Sequence, residues 1–177
     1  MFSDEQRDNL QSVLTKGDHV SSKFEVLTAE KSFEYFKVTC PEPFAEIKEK
    51  GDWFADPFGI WKFEPTKDER PDGPQIGDRR IMELENPAMG EMKAVQELVQ
   101  YTDDDDEHSF TYWNIENNVI KPKNYKGKVS VFRDPDNPEK CFGHYKSTWE
   151  DGNGKLEEHM VNMLVTSLDN IFGVASE

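Results

Sequence analysis

The chain has 177 residues and a formal net charge of −15, with 35% apolar and 32% charged residues. That length suits one domain with a real core. The acidity argues against nucleic acid, whose phosphates require clustered Lys and Arg, and against anionic membrane surfaces. No segment approaches the ~20 apolar residues of a membrane span, so stable membrane insertion is not expected.

The opening residues MFSDEQRDNL lack a basic region followed by an apolar run. A secretory signal is therefore not expected, and a cytoplasmic location is. Asp4 to Leu14 reads as a short amphipathic helix, with Leu10, Val13 and Leu14 apolar and Gly17-Asp18 ending it. Residues 1–30 are read as an N-terminal extension, a short helix or an arm, and residues 31–177 as one ligand-binding domain. Lys31 to Cys40, carrying Phe33, Tyr35 and Phe36, reads as a strand ending at Pro41. Pro43 suits the first position of a short helix over Phe44 to Lys50, stopped by Gly51. Asp52 to Phe63 is dense in aromatics and broken by Pro57 and Gly59, which predicts a second short helix, a turn and a strand. Glu64 to Pro74 is a charged, proline-rich loop.

A run of alternating segments follows. Ile76 to Glu85 places Ile76, Asp78, Arg80, Met82 and Leu84 on one face. Met92 to Tyr101 sets Met92, Ala94, Gln96 and Leu98 against Lys93, Val95, Glu97 and Val99. Ser109 to Glu116 holds Phe110, Tyr112 and Trp113. Tyr125 to Arg133 puts Val129 and Val131 opposite Phe132, and Cys141 to Trp149 follows the turn Asp134 to Pro138. Short strands at such spacing, joined by turn signals, indicate an antiparallel meander. From Leu156 to Phe172, Leu156, Met160, Met163, Leu164, Ser167, Leu168, Ile171 and Phe172 form one face of a long helix. A sheet wrapped around such a helix encloses a cavity. Leu164, Leu168 and Ile171 read as packing; Met160, Met163 and Ser167 read as ligand contacts.

No phosphate loop, nucleophile elbow, HExxH pattern or EF-hand loop is present. No metal and no cofactor is expected. The run Asp103 to Glu107 lacks the glycine and the ligand spacing of a calcium loop and reads as a solvated hairpin tip. Cys40 and Cys141 have no metal-ligand spacing; two reduced thiols or a disulfide between neighbouring strands both fit. The histidines are His19, His108, His144 and His159; His144 on its strand and His159 beside Met160 are the two that a pocket would recruit. Arg80, in phase with apolar neighbours, reads as inward-facing and in need of an acceptor, with Glu97 as the natural partner across the Asn86 to Gly90 hairpin and Arg79 on the opposite face. The remaining candidate ligand contacts are aromatic: Trp53, Phe58, Trp61, Tyr112, Tyr125, Tyr145 and Trp149. Tyr and Trp carry polar ends that a pocket satisfies.

Gly77-Asp78-Arg79-Arg80, then Val95-Gln96-Glu97-Leu98, then Tyr101 to Phe110, then Asn124-Tyr125 resemble successive landmarks of the START-like, birch-pollen-allergen-like (SRPBCC) superfamily. The chain is similar in particular to its polyketide cyclase/dehydrase-type and abscisic-acid-receptor-like branches, over roughly Phe33 to Phe172. The resemblance implies an α+β helix-grip fold: a seven-stranded curved antiparallel sheet around a long C-terminal helix, with two short helices after the first strand. It also implies a cavity for a lipid, sterol, polyketide or similar hydrophobic molecule. Glu85 to Glu91 shares only a Pro-Ala with the receptor gate, and Asn118 to Lys123 lacks the receptor latch's histidine and arginine, which argues against hormone reception.

Three functions then compete. A carrier or sensor needs no catalytic residues. A cyclase or dehydratase would use Glu97, His144, His159 or Tyr125 as acid or base, with a pKa shifted by burial. An interaction module would fill its interior with aromatics and meet a basic partner. A continuous cavity of several hundred Å³ would exclude the third. The oligomeric state is left open between monomer and weak dimer.

Overall fold

The computed structural model describes residues 20–27, 30–37, 40, 42–56, 59–66, 73–87, 90–118, 123–137, 139–150 and 154–173. Eight strands, β1 (Val20–Leu27), β2 (Glu30–Lys37), β3 (Trp61–Glu64), β4 (Arg79–Asn86), β5 (Gly90–Asp103), β6 (Glu107–Asn117), β7 (Lys123–Arg133) and β8 (Cys141–Glu150), form one antiparallel sheet in the order β1-β2-β8-β7-β6-β5-β4-β3. Helix α1 (Phe44–Lys50) links β2 to β3, and helix α2 (Gly154–Phe172) closes the chain. The helix-grip architecture is as expected, and β2 to β8 supply its seven strands.

Strand alternation decides what faces the helix. Phe33 and Tyr35 on β2, Phe110 and Tyr112 on β6, Tyr125, Val129 and Val131 on β7, and Cys141, Tyr145 and Trp149 on β8 join one buried cluster with Leu168 and Phe172 of α2. β5 is long, and its pairing with β6 shifts register between Val95 and Gln96 and again between Leu98 and Gln100. Such bulges bend a strand, and here they curve the sheet around α2.

Two contacts fix the C-terminal end of α2. Phe172 lies on Gly143, where an added Cβ would sit 2.5 Å from the ring. Next to it, Tyr35 donates a hydrogen bond of 2.7 Å to Asp169, and its ring stacks on Phe172 at 5.9 Å. Further along the sheet, Gly77 adopts φ +93°, a left-handed conformation that glycine reaches without strain. That turn lets the buried carboxylate of Asp78 accept from Thr66 N, Thr66 Oγ1 and Gln75 N at 2.9–3.0 Å. The loop before β4 is thereby tied down.

Three expectations are corrected or refined. Val20–Leu27, read as part of a helix or arm, is an edge strand, because it pairs in register with β2 from Val20↔Lys37 to Leu27↔Glu30. The helix expected over Asp4 to Leu14 lies outside the described residues. The second short helix is a single turn, closed by Ala55 N to Asp52 O at 3.0 Å, since Asp52 and Asp56 engage side chains and backbone nearby instead. Cys40 and Cys141 are free, buried thiols. The neighbouring Cys141 thiol and burial both push Cys40 well above the usual thiol range, so it stays protonated.

Gly143→Ala should destabilise the fold by about 2 kcal/mol through overpacking, a drop in Tm of roughly 4–8 °C at this chain length. Lys37 is fully buried, its ammonium has no hydrogen-bond partner among the described residues, and burial lowers its pKa. Lys37→Met should therefore raise Tm, because an apolar side chain of similar length leaves no buried donor unsatisfied. Calorimetry on the two variants checks both signs.

Candidate functional site

A cavity of about 180 Å³ lies between the inner face of the sheet and α2. The helix contributes Met160, Met163, Leu164, Ser167, Leu168 and Ile171. Thus the stripe from Met160 to Ile171 lines it, including the three residues expected only to pack, while Phe172 packs on Gly143. Facing them are Met82 on β4, Met92, Ala94 and Gln96 on β5, Asn114 on β6 and Val129 on β7. Methionine has three soft torsions and conforms to irregular shapes, so four Met side chains make an adaptable wall.

Arg80 enters this wall from β4 and is 8% exposed. Its guanidinium lies 4.3 Å from the ring centres of both Trp53 and Trp61, with Phe110 at 5.3 Å and Tyr112 at 5.4 Å. Ring faces carry negative quadrupole charge, so this aromatic box stabilises a cation. Nε donates to Gln96 Oε1 at 2.8 Å, and Nη1 makes a longer bond of 3.4 Å to the Trp53 carbonyl. Burial pulls the guanidinium down to about 10, which leaves it charged at neutral pH.

Beside it three phenols share their hydroxyls. Tyr145 Oη lies 2.7 Å from Tyr112 Oη and 2.8 Å from Tyr125 Oη. Burial raises all three phenols above their ordinary value, so they act as neutral donors and acceptors. Gly127 makes room for the group: a Cβ there would stand 2.5 Å from Tyr112 Cζ.

At Asp52 the cavity lining meets an ionic network. Asp52 accepts from Tyr101 Oη at 3.0 Å and lies 3.1 Å from His108 Nε2. On the other side of the ring, His108 Nδ1 is 3.2 Å from Asp103, which also holds Lys48 at 2.6 Å. Burial opposes ionisation of Asp52, but His108 and Tyr101 outweigh it and hold the carboxyl below its usual range. Lys48, and then His108, lower Asp103. The hairpin tip is built as expected, Asp104 Oδ1 accepting from Asp106 N and Glu107 N at 2.9 and 2.7 Å. Nothing in the sequence pattern pointed to the Asp52–His108 pair, which only the curvature of β5 and β6 brings together.

The structure sorts the candidates. Trp61, Arg80, Tyr112, Tyr125, Tyr145, Met160, Met163 and Ser167 all line the cavity. Trp53 is buried behind Arg80, and Trp149 is buried behind Tyr125, stacked at 5.7 Å; neither lines the cavity. Phe58 lies outside the described residues. Glu97 is on the outer face with Arg79 at 2.9 Å, because the register is Arg79↔Glu97 and Arg80↔Gln96. His144 also faces outward, 2.9 Å from Glu34 and against Phe36, since its neighbour Tyr145 faces in. His159 is exposed on α2. The acid–base set expected for an enzyme is therefore not assembled, and Tyr125 alone of its four members reaches the cavity.

This geometry, an antiparallel sheet gripping one helix over an internal pocket, defines a protein of the helix-grip class. No family model matches the chain, and no curated protein matches it significantly. Solved structures do resemble it. A protein of Nitrosospira multiformis superposes with a TM-score of 0.54 at 17% identity, covering 81% of this chain and 92% of that one. Major latex-like protein 151 of Panax ginseng gives 0.54 at 12% identity, covering 81% and 95%, and a second crystal form of it gives 0.52 at 13%. At these identities the likeness establishes the fold alone, the helix-grip.

The acid behaviour of the Asp52–His108–Asp103 network follows from its signs. Carboxyls held below their unfolded value contribute stability above it and lose that contribution as pH falls through the folded value. Stability should therefore fall below about pH 4, and Asp52→Asn should flatten that acid limb while lowering stability at neutral pH. Urea unfolding between about pH 6 and pH 3 reads both effects.

Proposed function

We propose that the protein binds one compact hydrophobic molecule between sheet and helix, as a carrier or sensor. The observation that carries this is the cavity itself, walled by four methionines and by the inward stripe of α2, with its polar groups gathered around Arg80 and the tyrosines. Ligand sites share that composition: mostly apolar surface with a few converging polar groups. At about 180 Å³ the space is smaller than the several hundred Å³ expected. It is close to the ~150 Å³ of cavities known to take benzene. A single ring or a short chain suits it better than a sterol, because Tyr112, Tyr125 and Tyr145 occupy the interior that a larger ligand would need.

The cyclase or dehydratase alternative keeps only Tyr125, a neutral phenol already bonded to Tyr145. A raised phenol serves as a proton donor and not as a base at neutral pH. Binding without turnover is therefore the better-supported function. A cytoplasmic setting goes with it, since two free buried thiols suit a reducing compartment. Among the described residues no helix is long and apolar enough to cross a membrane.

Native mass spectrometry of the purified protein, with a metabolite and lipid screen, should show one small molecule retained or taken up per chain. Met163→Trp should abolish that uptake by filling the cavity while leaving the fold intact by circular dichroism. Absence of any bound small molecule, co-purified or added, would overturn the carrier function.

A further inference from the structure

We infer that the molecule held in this cavity carries a carboxylate, and that Arg80 receives it. The inference rests on the binding function proposed above and names the chemistry of its ligand. A guanidinium has five N–H donors in a fixed planar fork. Two of them are engaged, by Gln96 Oε1 and the Trp53 carbonyl, and both acceptors are neutral. Among the described residues no carboxylate stands within ion-pair distance of Arg80. The nearest acidic groups are committed elsewhere: Asp52 to Tyr101 and His108, and Asp56 to the backbone N–H groups of Ile60 and Trp61 at 2.8 and 3.3 Å. Glu97, the carboxylate one residue along β5 from Gln96, is on the other face of the sheet with Arg79.

A buried charge is ordinarily matched by an opposite one, because the aromatic box supplies only part of what water gave. Here Trp53 and Trp61 shield the guanidinium at 4.3 Å each, and its remaining N–H donors are left for a partner. Arg80 lines the cavity, so those donors are offered to whatever the cavity holds. A planar fork with free donors matches a planar acceptor with two oxygens, which is a carboxylate held by two parallel charge-assisted hydrogen bonds. Behind such a head the Met-lined wall takes the apolar body. Ser167, also on the lining, offers a further neutral donor.

The overall charge of −15 repels an anion from a distance. Recognition is thus local, and added salt should speed association by screening that repulsion, opposite to the usual behaviour of steered partners.

Calorimetric or NMR titration with matched pairs tests the inference: phenylacetate against phenethyl alcohol, hexanoate against hexanol, benzoate against benzyl alcohol. Each acid should bind about tenfold to a hundredfold tighter than its alcohol. Arg80→Met should remove that preference, bringing the acid-to-alcohol affinity ratio to about one. Arg80→Lys, which keeps the charge and loses the fork, should retain part of it. Should Arg80→Met fail to fold, the acid-to-alcohol ratio in the wild type and in Arg80→Lys still decides. Equal binding of acids and alcohols, or an acid preference that survives Arg80→Met, would overturn the carboxylate inference and leave the hydrophobic carrier standing. If neither class binds, the carrier function itself falls.

Discussion

The guanidinium of Arg80 between the indoles of Trp53 and Trp61 is the contact around which this interior is organised. It links three separate parts of the chain: the turn after α1, the short edge strand β3, and β4. A desolvated cation–π contact contributes about 2 kcal/mol, while removing an ion from water costs several kcal/mol even in a relaxed interior. Two stacked rings and two hydrogen bonds to neutral acceptors narrow that gap without closing it. An interior arranged so is stable enough to exist and still favours an incoming anion.

The grip on α2 is uneven, and that unevenness makes the pocket. At the C-terminal end, Phe172 sits directly on Gly143 and Tyr35 holds Asp169, so helix and sheet are in full contact. Towards its N-terminal half the helix presents Met160, Met163 and Leu164 to a sheet face of Met82, Met92 and Ala94. Among the described residues no glycine on that side draws the layers together. The space between the layers therefore opens away from the Phe172 anchor. The tyrosine group then limits its size, since Gly127 admits the Tyr112 ring where any other residue would expel it.

Much of this was legible in the sequence. The helical stripe identified α2, the strand order identified the grip, and the phase of Arg80 with Met82 placed it indoors. What failed did so for geometric reasons. The Asn86–Gly90 hairpin fixes the pairing Asn86↔Gly90, and the register running back from it meets Arg80 with Gln96 rather than Glu97. A one-residue slip changes the face, so the charged partner became an outer-surface one. The same parity forbids both His144 and Tyr145 from facing inward. His159 precedes Met160 by one helical step, far enough around α2 to face water. The Asp52–His108–Asp103 network had no sequence signal at all, because it joins a turn to a hairpin 51 and 56 positions away in the chain. Val20–Leu27 was missed because it extends the sheet beyond the seven strands that the family pattern predicts.

The most direct test of the central claim is a crystal structure of the wild-type protein grown without added carboxylates. The account predicts Arg80 stacked between Trp53 and Trp61, bonded to Gln96, with its outer edge facing the cavity and no protein carboxylate against it. Arg80 paired with an acidic side chain of the chain itself, or α2 collapsed onto β4 and β5 with the cavity closed, would contradict it.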